Sequence, residues 1–191
     1  MNDSNCFLSA ALEWKACFID GTKTTSGLPI GIDATCSGLQ HLSALTLCGD
    51  TAAGTNVTPT ERPADIYRTV AEASKAHMPE KFHSWITRKE TKRSVMCTPY
   101  GVTESSARNY IRLALKDAKR EFESTDLTTI TRAIFREAIP EVLPGPIKVM
   151  KWLKQSATEI LNSGKEQITW TTPSGFVVQQ DLKISNQVEV K

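Results

Sequence analysis

Apolar residues recur every three to four positions along most of the chain, with polar and charged residues between them. This spacing is typical of amphipathic helices that each bury one face. Predicted helices cover residues 6–18, 37–49, 60–77, 84–97, 104–122, 127–135 and 147–164. The chain is therefore predicted to be mostly helical.

Two stretches alternate apolar and polar positions instead, which is typical of strands. Leu28, Ile30 and Ile32 predict a short strand that delivers Asp33 at its end. Near the C-terminus, residues 168–172 and 176–180 flank a Pro-Ser-Gly turn signal and predict a hairpin. The predicted fold class is α+β, mostly helical, with a C-terminal β-hairpin.

Local signals suggest where some helices begin and where the chain divides. Residues 37–40 have the form of a capping box, and Thr60 is a plausible N-cap for the helix that follows it. The polar stretch 51–59 lacks a strong pattern. We therefore predict a boundary there, with domains at residues 1–58 and 59–191.

Composition narrows the function classes only slightly. With 23 Lys and Arg against 21 Asp and Glu, the net charge is +2, so any nucleic-acid binding must come from a local cluster. No apolar run approaches the roughly 18 residues of a membrane span, so no membrane partner is expected. Five cysteines without C-x-x-C spacing, three histidines without zinc-ligand spacing and a start that is not basic predict a reducing, cytoplasm-like compartment.

One predicted helix carries a dense basic segment. Residues 87–93 hold four cations and one anion, and Arg88 and Lys92 share a face because they lie four positions apart. Met96 and Tyr100 follow them on a slowly drifting stripe. Two cations followed by an aromatic ring suit a triphosphate with its base above it, although a solvated basic face is the alternative.

Two motifs, a palm motif followed along the chain by a fingers motif, resemble those of the single-subunit RNA polymerases of phages and mitochondria. One is Arg88-x3-Lys92-x7-Tyr100-Gly101, which resembles the fingers helix of the superfamily that contains DNA polymerase I and the phage-type RNA polymerases. The other, DATCSGLQH at residues 33–41, resembles its first palm motif. Weaker similarity extends over most of the chain. The resemblance implies the palm edge and fingers of a right-hand polymerase, with palm residues in 1–58 and fingers residues in 59–191.

The resemblance assigns roles to the charged residues. Asp33 is implied to ligate Mg²⁺, with the backbone carbonyl of Ala34 completing the coordination. Arg88 and Lys92 are implied to neutralise the incoming triphosphate, and Lys92 also to protonate the leaving pyrophosphate. Asp33 could alternatively be an acid at a helix entry.

The remaining assigned residues concern the base and the sugar. The resemblance implies that Tyr100 lies against the active-site base pair and helps select ribose, and that Tyr67 also belongs to the nucleotide site. Gly38 stands where DNA-making relatives carry a bulky Glu, so a ribose 2′-hydroxyl would fit. Met96 stands where DNA polymerases of this superfamily usually have Phe. Tyr100 as a core aromatic and Tyr67 as the polar tip of a packed helix are the structural alternatives.

The function implied is that of a DNA-directed RNA polymerase, a Mg²⁺-dependent nucleotidyltransferase of transcription. Its partners would be template DNA, the RNA product and ribonucleoside triphosphates. The family's second carboxylate lies in a His-Asp-Ser motif that this sequence lacks, so we expect an internal fragment, inactive without the remaining polymerase segments. A noncatalytic nucleotide-binding or nucleic-acid-binding remnant, or a split-polymerase subunit, is the alternative. The expected compartment is the cytoplasm, which would be the host cytoplasm if a phage encodes the chain. The mitochondrial matrix is the second choice.

Overall fold

The computed structural model describes residues 4–29, 31 and 34–181. Contacts along the chain divide it into two units, Met1–Ala34 and Thr35–Lys191. The division between palm and fingers portions at residue 58 stays a prediction.

The described part of the first unit contains one α-helix. Helix α1 spans Ser4–Trp14 and continues as one π-helical turn over Lys15–Ile19, which confirms the predicted helix at 6–18. A salt bridge of 2.8 Å joins Lys23 to Glu13 near its C-terminal end. Leu28 and Gly31 have no strand conformation, and the other positions of the predicted strand, Ile30, Ile32 and Asp33, lie outside the described residues.

The described part of the second unit contains eight α-helices and a hairpin, which confirms the mostly helical α+β prediction. The helices are α2 (Ser37–Thr46), α3 (Gly49–Gly54), α4 (Ile66–Lys75), α5 (Arg88–Cys97), α6 (Glu104–Asp117), α7 (Ser124–Arg132), α8 (Ile139–Val142) and α9 (Pro144–Asn162). Short 3₁₀ segments cover Glu80–Trp85 and Thr98–Tyr100, and a π-helical segment covers Ala133–Ala138.

A hydrophobic core lies between helices α4 to α8. Val70 of α4, Ile111 and Leu115 of α6 and Ile130 of α7 are fully buried in it. Helix α4 packs against α5 on one side and against the π-helical segment and α8 on another. The apolar periodicity therefore identified the core-facing side of these helices, and α5 is held on its inner side by this core.

Two predicted helix caps are wrong, for local reasons. The N-cap of α2 is Cys36, in the left-handed conformation with φ of 56°, and its side chain makes no capping bond. The N-cap of α4 is Asp65 rather than Thr60, because the Asp65 side chain accepts from the N–H groups of Tyr67 and Arg68. The predicted polar connection also contains the short helix α3.

The predicted hairpin is confirmed. Strands β1 (Gln167–Thr171) and β2 (Val177–Asp181) pair antiparallel, from Gln167 opposite Asp181 to Thr171 opposite Val177. Gly175 occupies the left-handed region at φ of 84°, as the tight turn requires.

Candidate functional site

The basic segment opens α5 with a reciprocal cap. Thr87 Oγ1 accepts from the N–H of Lys89 at 3.2 Å, and Glu90 Oε2 accepts from the N–H of Thr87 at 2.9 Å. Glu90, the one anion of the segment, is buried and occupied by this cap. A cap of this type fixes where a helix begins. It places Arg88 at the first position of α5.

The two cations of the predicted stripe lie on the exposed side of α5, and its aromatic ring follows after the end of the helix. Arg88, Lys92 and Met96 are all exposed, one turn apart. The helix ends at Cys97, and Pro99 lies in the following 3₁₀ turn. Tyr100 is 74% exposed at the end of this turn, so it is not a core aromatic.

Arg88 is held from the side by α4. Its Nε donates to Asp65 Oδ2 at 2.8 Å, and its guanidinium carbon lies 5.0 Å from the centre of the Tyr67 ring. Thr91, one turn along α5, donates its hydroxyl to the Tyr67 carbonyl at 2.7 Å and is itself buried. Two helices thus define the position of the Arg88 side chain.

Tyr67 lies below Arg88 rather than on the surface. It is buried, and its hydroxyl hydrogen-bonds to the thiol of Cys36. Burial, together with that hydrogen bond, raises the pKa of Tyr67 well above its usual value, while burial also raises the pKa of Cys36. Both groups are therefore neutral near pH 7. The start of α2 connects through Tyr67 to the guanidinium of Arg88.

Gly38 and Tyr100 are neighbours, although 62 positions separate them along the sequence. A β-carbon at Gly38 would lie 3.2 Å from the Tyr100 hydroxyl oxygen and 3.0 Å from Pro99 Cβ. A longer side chain at position 38 would therefore displace Tyr100 or Pro99. The two residues that the resemblance linked to the ribose lie side by side.

Lys92 lies at a groove between α5 and α6 with a cavity of about 320 Å³. The groove is lined by Lys89, Lys92, Arg93, Met96, Tyr110, Leu113, Ala114 and Asp117. The Arg93 guanidinium lies 4.9 Å from the Tyr110 ring centre, and Lys89 Nζ lies 3.7 Å from Asp117 Oδ2. Among the residues that the structure describes, Lys92 has no hydrogen bond or ion pair, so its ammonium group is available to an anion.

The structure describes one of the two residues assigned to the metal. Asp33 lies outside the described residues, and Ala34 is the last residue of the first unit. Across residues 4–29, 31 and 34–181, no group of three or more His, Cys, Asp or Glu side chains could hold a metal ion. None of the helices within those ranges is long and apolar enough to cross a membrane.

Two contributors were missed by sequence reasoning. Asp65 was missed because the N-cap of α4 was placed at Thr60, although an acid directly before Ile66 is a recognisable capping signal. Tyr110 was missed because its distance from Arg93 along the sequence hides their contact. Packing of α6 against α5 creates that pair, and no local pattern encodes it.

Comparison with known proteins identifies the family. A family model described as DNA-dependent RNA polymerase matches residues 1–191. The mitochondrial DNA-directed RNA polymerase of Mus musculus is 31% identical over 179 residues, which cover 87% of this chain and 15% of that protein. The corresponding Neurospora crassa protein is 36% identical over 170 residues, covering 78% of this chain and 12% of that protein.

A phage relative covers more of the chain. The DNA-directed RNA polymerase of Enterobacteria phage K11 is 26% identical over 239 aligned positions, covering 97% of this chain and 26% of that protein. The chain thus spans between about an eighth and a quarter of the length of these three relatives. The resemblance seen in the two motifs is confirmed, and the chain belongs to the phage-type DNA-dependent RNA polymerase family.

Proposed function

We propose that this chain supplies the palm edge and the fingers helix of a DNA-directed RNA polymerase, and that α5 binds the incoming ribonucleoside triphosphate. The observation that carries the proposal is the exposed row of Arg88, Lys92 and Met96 along α5, followed in the next 3₁₀ turn by the exposed Tyr100 with Gly38 beside it. The row presents positive charge at one end and an aromatic ring at the other. A nucleoside triphosphate has the complementary arrangement of charge and base.

Arg88 and Lys92 bind the triphosphate in this proposal. The Nε of Arg88 is occupied by Asp65, so its terminal nitrogens serve the phosphate oxygens in charge-assisted hydrogen bonds. Lys92 adds a second positive charge one turn along the helix. When the bond to the transferred phosphate breaks, Lys92 donates a proton to the oxygen of the leaving pyrophosphate.

Tyr100 and Gly38 select the sugar. A β-carbon at Gly38 would lie 3.2 Å from the Tyr100 hydroxyl oxygen, so the lack of a side chain at position 38 leaves space for that hydroxyl, which in this proposal lies beside the ribose 2′-hydroxyl. The Tyr100 ring is exposed, and in this proposal it lies against the base pair. A bulky side chain at position 38 would fill the space and disfavour ribonucleotides.

The donor chemistry at the palm motif fits magnesium. The Asp33 carboxylate and the Ala34 carbonyl are hard oxygen ligands, the type that Mg²⁺ prefers. Bound Mg²⁺ would supply stabilisation of the charge that develops on the phosphate and activation of the attacking hydroxyl. The role of Asp33 is to hold that ion.

Template DNA and the growing RNA are the proposed macromolecular partners, and the remaining polymerase segments supply the second carboxylate. We propose a reducing compartment, either the cytoplasm or the mitochondrial matrix. The relatives include mitochondrial and phage enzymes, and no disulfide joins the cysteines within the described ranges. The cysteines therefore suit both compartments.

Binding of ATP to this chain tests the nucleotide site. We expect Arg88→Ala and Lys92→Ala each to weaken ATP binding by about tenfold or more, since hydrogen bonds to charged groups contribute about 1.5–3 kcal/mol. Lys148→Ala, which removes an exposed cation from α9, is the matched control and should leave affinity within about twofold. Equal losses in all three variants would indicate nonspecific charge attraction and overturn the assignment.

Primer extension tests the chemistry. Combined with the remaining polymerase segments, the chain should support Mg²⁺-dependent extension with ribonucleotides, and Asp33→Ala should abolish it. Activity that survives Asp33→Ala would overturn the palm assignment. ATP binding with no extension in the assembled protein would favour the noncatalytic nucleotide-binding alternative.

A further inference from the structure

Asp65 uses its two carboxylate oxygens for two different tasks. Oδ1 accepts from the N–H groups of Tyr67 and Arg68, at 3.2 and 3.4 Å, and so caps α4. Oδ2 accepts from Nε of Arg88 at 2.8 Å. The backbone of α4 therefore fixes the orientation of the carboxylate that contacts Arg88.

The contact involves only one edge of the guanidinium. Arginine has five N–H donors in a rigid plane, and the one on Nε is taken by Asp65. One face of the plane lies over the Tyr67 ring, which is buried and linked to Cys36. Within the described residues, no protein acceptor binds the terminal nitrogens of Arg88. The edge that pairs with phosphate in a bidentate manner is left to a ligand.

We propose that Asp65 is a positioning residue for nucleotide binding, holding Arg88 so that its terminal nitrogens face the triphosphate. This inference rests on the proposed function of α5. Without Asp65, the long Arg88 side chain would sample many rotamers, and binding would have to order it. Ordering such a side chain costs about 0.5–1.5 kcal/mol, which corresponds to an affinity loss of about twofold to tenfold.

The direction of the effect separates positioning from two simpler roles. A carboxylate near an anion site repels the anion, so simple electrostatics predicts tighter ATP binding when its charge is removed. A cap alone predicts lower stability with unchanged affinity for ATP. Positioning predicts weaker ATP binding after a change that removes negative charge. A purely structural or electrostatic role gives no such result.

The experiment compares Asp65→Asn with the unaltered chain. Asn caps helices about as well as Asp, but its amide nitrogen cannot accept from Arg88 Nε. We expect ATP affinity to fall by about threefold to tenfold, and affinity for inorganic triphosphate to fall by the same factor. The midpoint temperature of thermal unfolding should stay within a few degrees of that of the unaltered chain. Asp65→Ser, which still caps but is too short to reach Arg88, should reproduce the loss.

Two controls complete the test. Glu72→Gln removes the same charge from an exposed acid of α4 that pairs with Lys75, and it should leave ATP binding unchanged or slightly tighter. In the Arg88→Ala background, Asp65→Asn should have no further effect on affinity. Unchanged or tighter ATP binding by Asp65→Asn, or an equal loss in the Arg88→Ala background, would overturn the positioning role. An unaltered chain that binds neither ATP nor triphosphate would overturn the proposed function itself.

Discussion

Helices α4 and α9 have similar sequence patterns but very different surroundings. Helix α4 has ten residues, of which five are buried: Ile66, Tyr67, Val70, Ala71 and Ser74. Helix α9 has 19 residues, and only Pro146 is buried. Its Trp152 and Leu153 are 63% and 46% exposed. Apolar periodicity thus predicts that a helix forms and which side is apolar, but it does not show what covers that side.

The difference matters for function because α5, which carries Arg88 and Lys92, packs against the well-buried helix α4. Arg88 rests on Asp65 and Tyr67 of α4, and Thr91 bonds to the α4 backbone. These contacts depend on a core that the chain supplies itself. The α9 region contributes little to that core, so changes there should leave the Arg88 arrangement intact.

A matched pair of leucine substitutions should show this contrast most strongly. Leu115 of α6 is fully buried, and Leu115→Ala should lower the free energy of unfolding by about 2–5 kcal/mol through lost burial and a cavity. Leu153→Ala on α9 should cost less than about 1 kcal/mol, because the side chain is already 46% exposed in the folded chain and alanine favours helix. Urea denaturation of both variants measures the difference.

Similar losses of unfolding free energy for the two leucine variants would contradict the contrast between the buried core and α9. A large loss for Leu153→Ala would mean that α9 shares the cooperative core. A small loss for Leu115→Ala would mean that the α6 site collapses around the missing atoms. The ratio of the two values is informative even if the absolute stability is low.

Gly145 tests where α9 is attached to the rest of its unit. A β-carbon at Gly145 would lie 2.6 Å from Cys48 Cβ and 2.7 Å from Thr46 Oγ1, which real contacts do not allow. Gly145→Ala should therefore destabilise the chain by about 1–3 kcal/mol, despite the better helix propensity of alanine. Gly49→Ala is the control, since its β-carbon would meet open space. A neutral Gly145→Ala would show that α2 and α9 separate easily.

Sequence reasoning predicted the helices and the hairpin well because their signals are local. Periodicity identified α4 and α6, and the Pro-Ser-Gly turn identified the hairpin. Helix starts were less predictable, since any nearby acceptor can cap a helix. Asp65 rather than Thr60 caps α4 because the helix begins at Ile66, and the carboxylate directly before it accepts from the N–H groups of Tyr67 and Arg68.

The candidate site was predictable in its residues but not in its contacts. The motif spacing named Arg88, Lys92 and Tyr100, and all three are exposed in one row. The weaker similarity elsewhere in the chain assigns Tyr67 to the nucleotide site, which stays a prediction, and the structure shows its ring buried below Arg88. Only packing of α4 against α5 could show that. The neighbourhood of Gly38 and Tyr100 likewise depends on the fold.

Tyr67, the buried aromatic residue of α4, tests the contrast between α4 and α9 through the pH dependence of the free energy of unfolding. Its folded-state pKa is raised above the usual 10 by burial and by the hydrogen bond to Cys36. The stabilising contribution of the neutral phenol is fully present below pH 10 and is lost as pH rises through the folded pKa. Above about pH 10 the unfolded chain ionises at this residue and the folded chain does not, so the free energy of unfolding falls by up to about 1.4 kcal/mol per pH unit. Tyr67→Phe removes this dependence, and urea denaturation at pH 8 and above pH 10 should show a shallower decline than in the unaltered chain. An equally steep decline in both proteins would mean that the phenol ionises freely, and that the α4 region is no better sealed from water than α9.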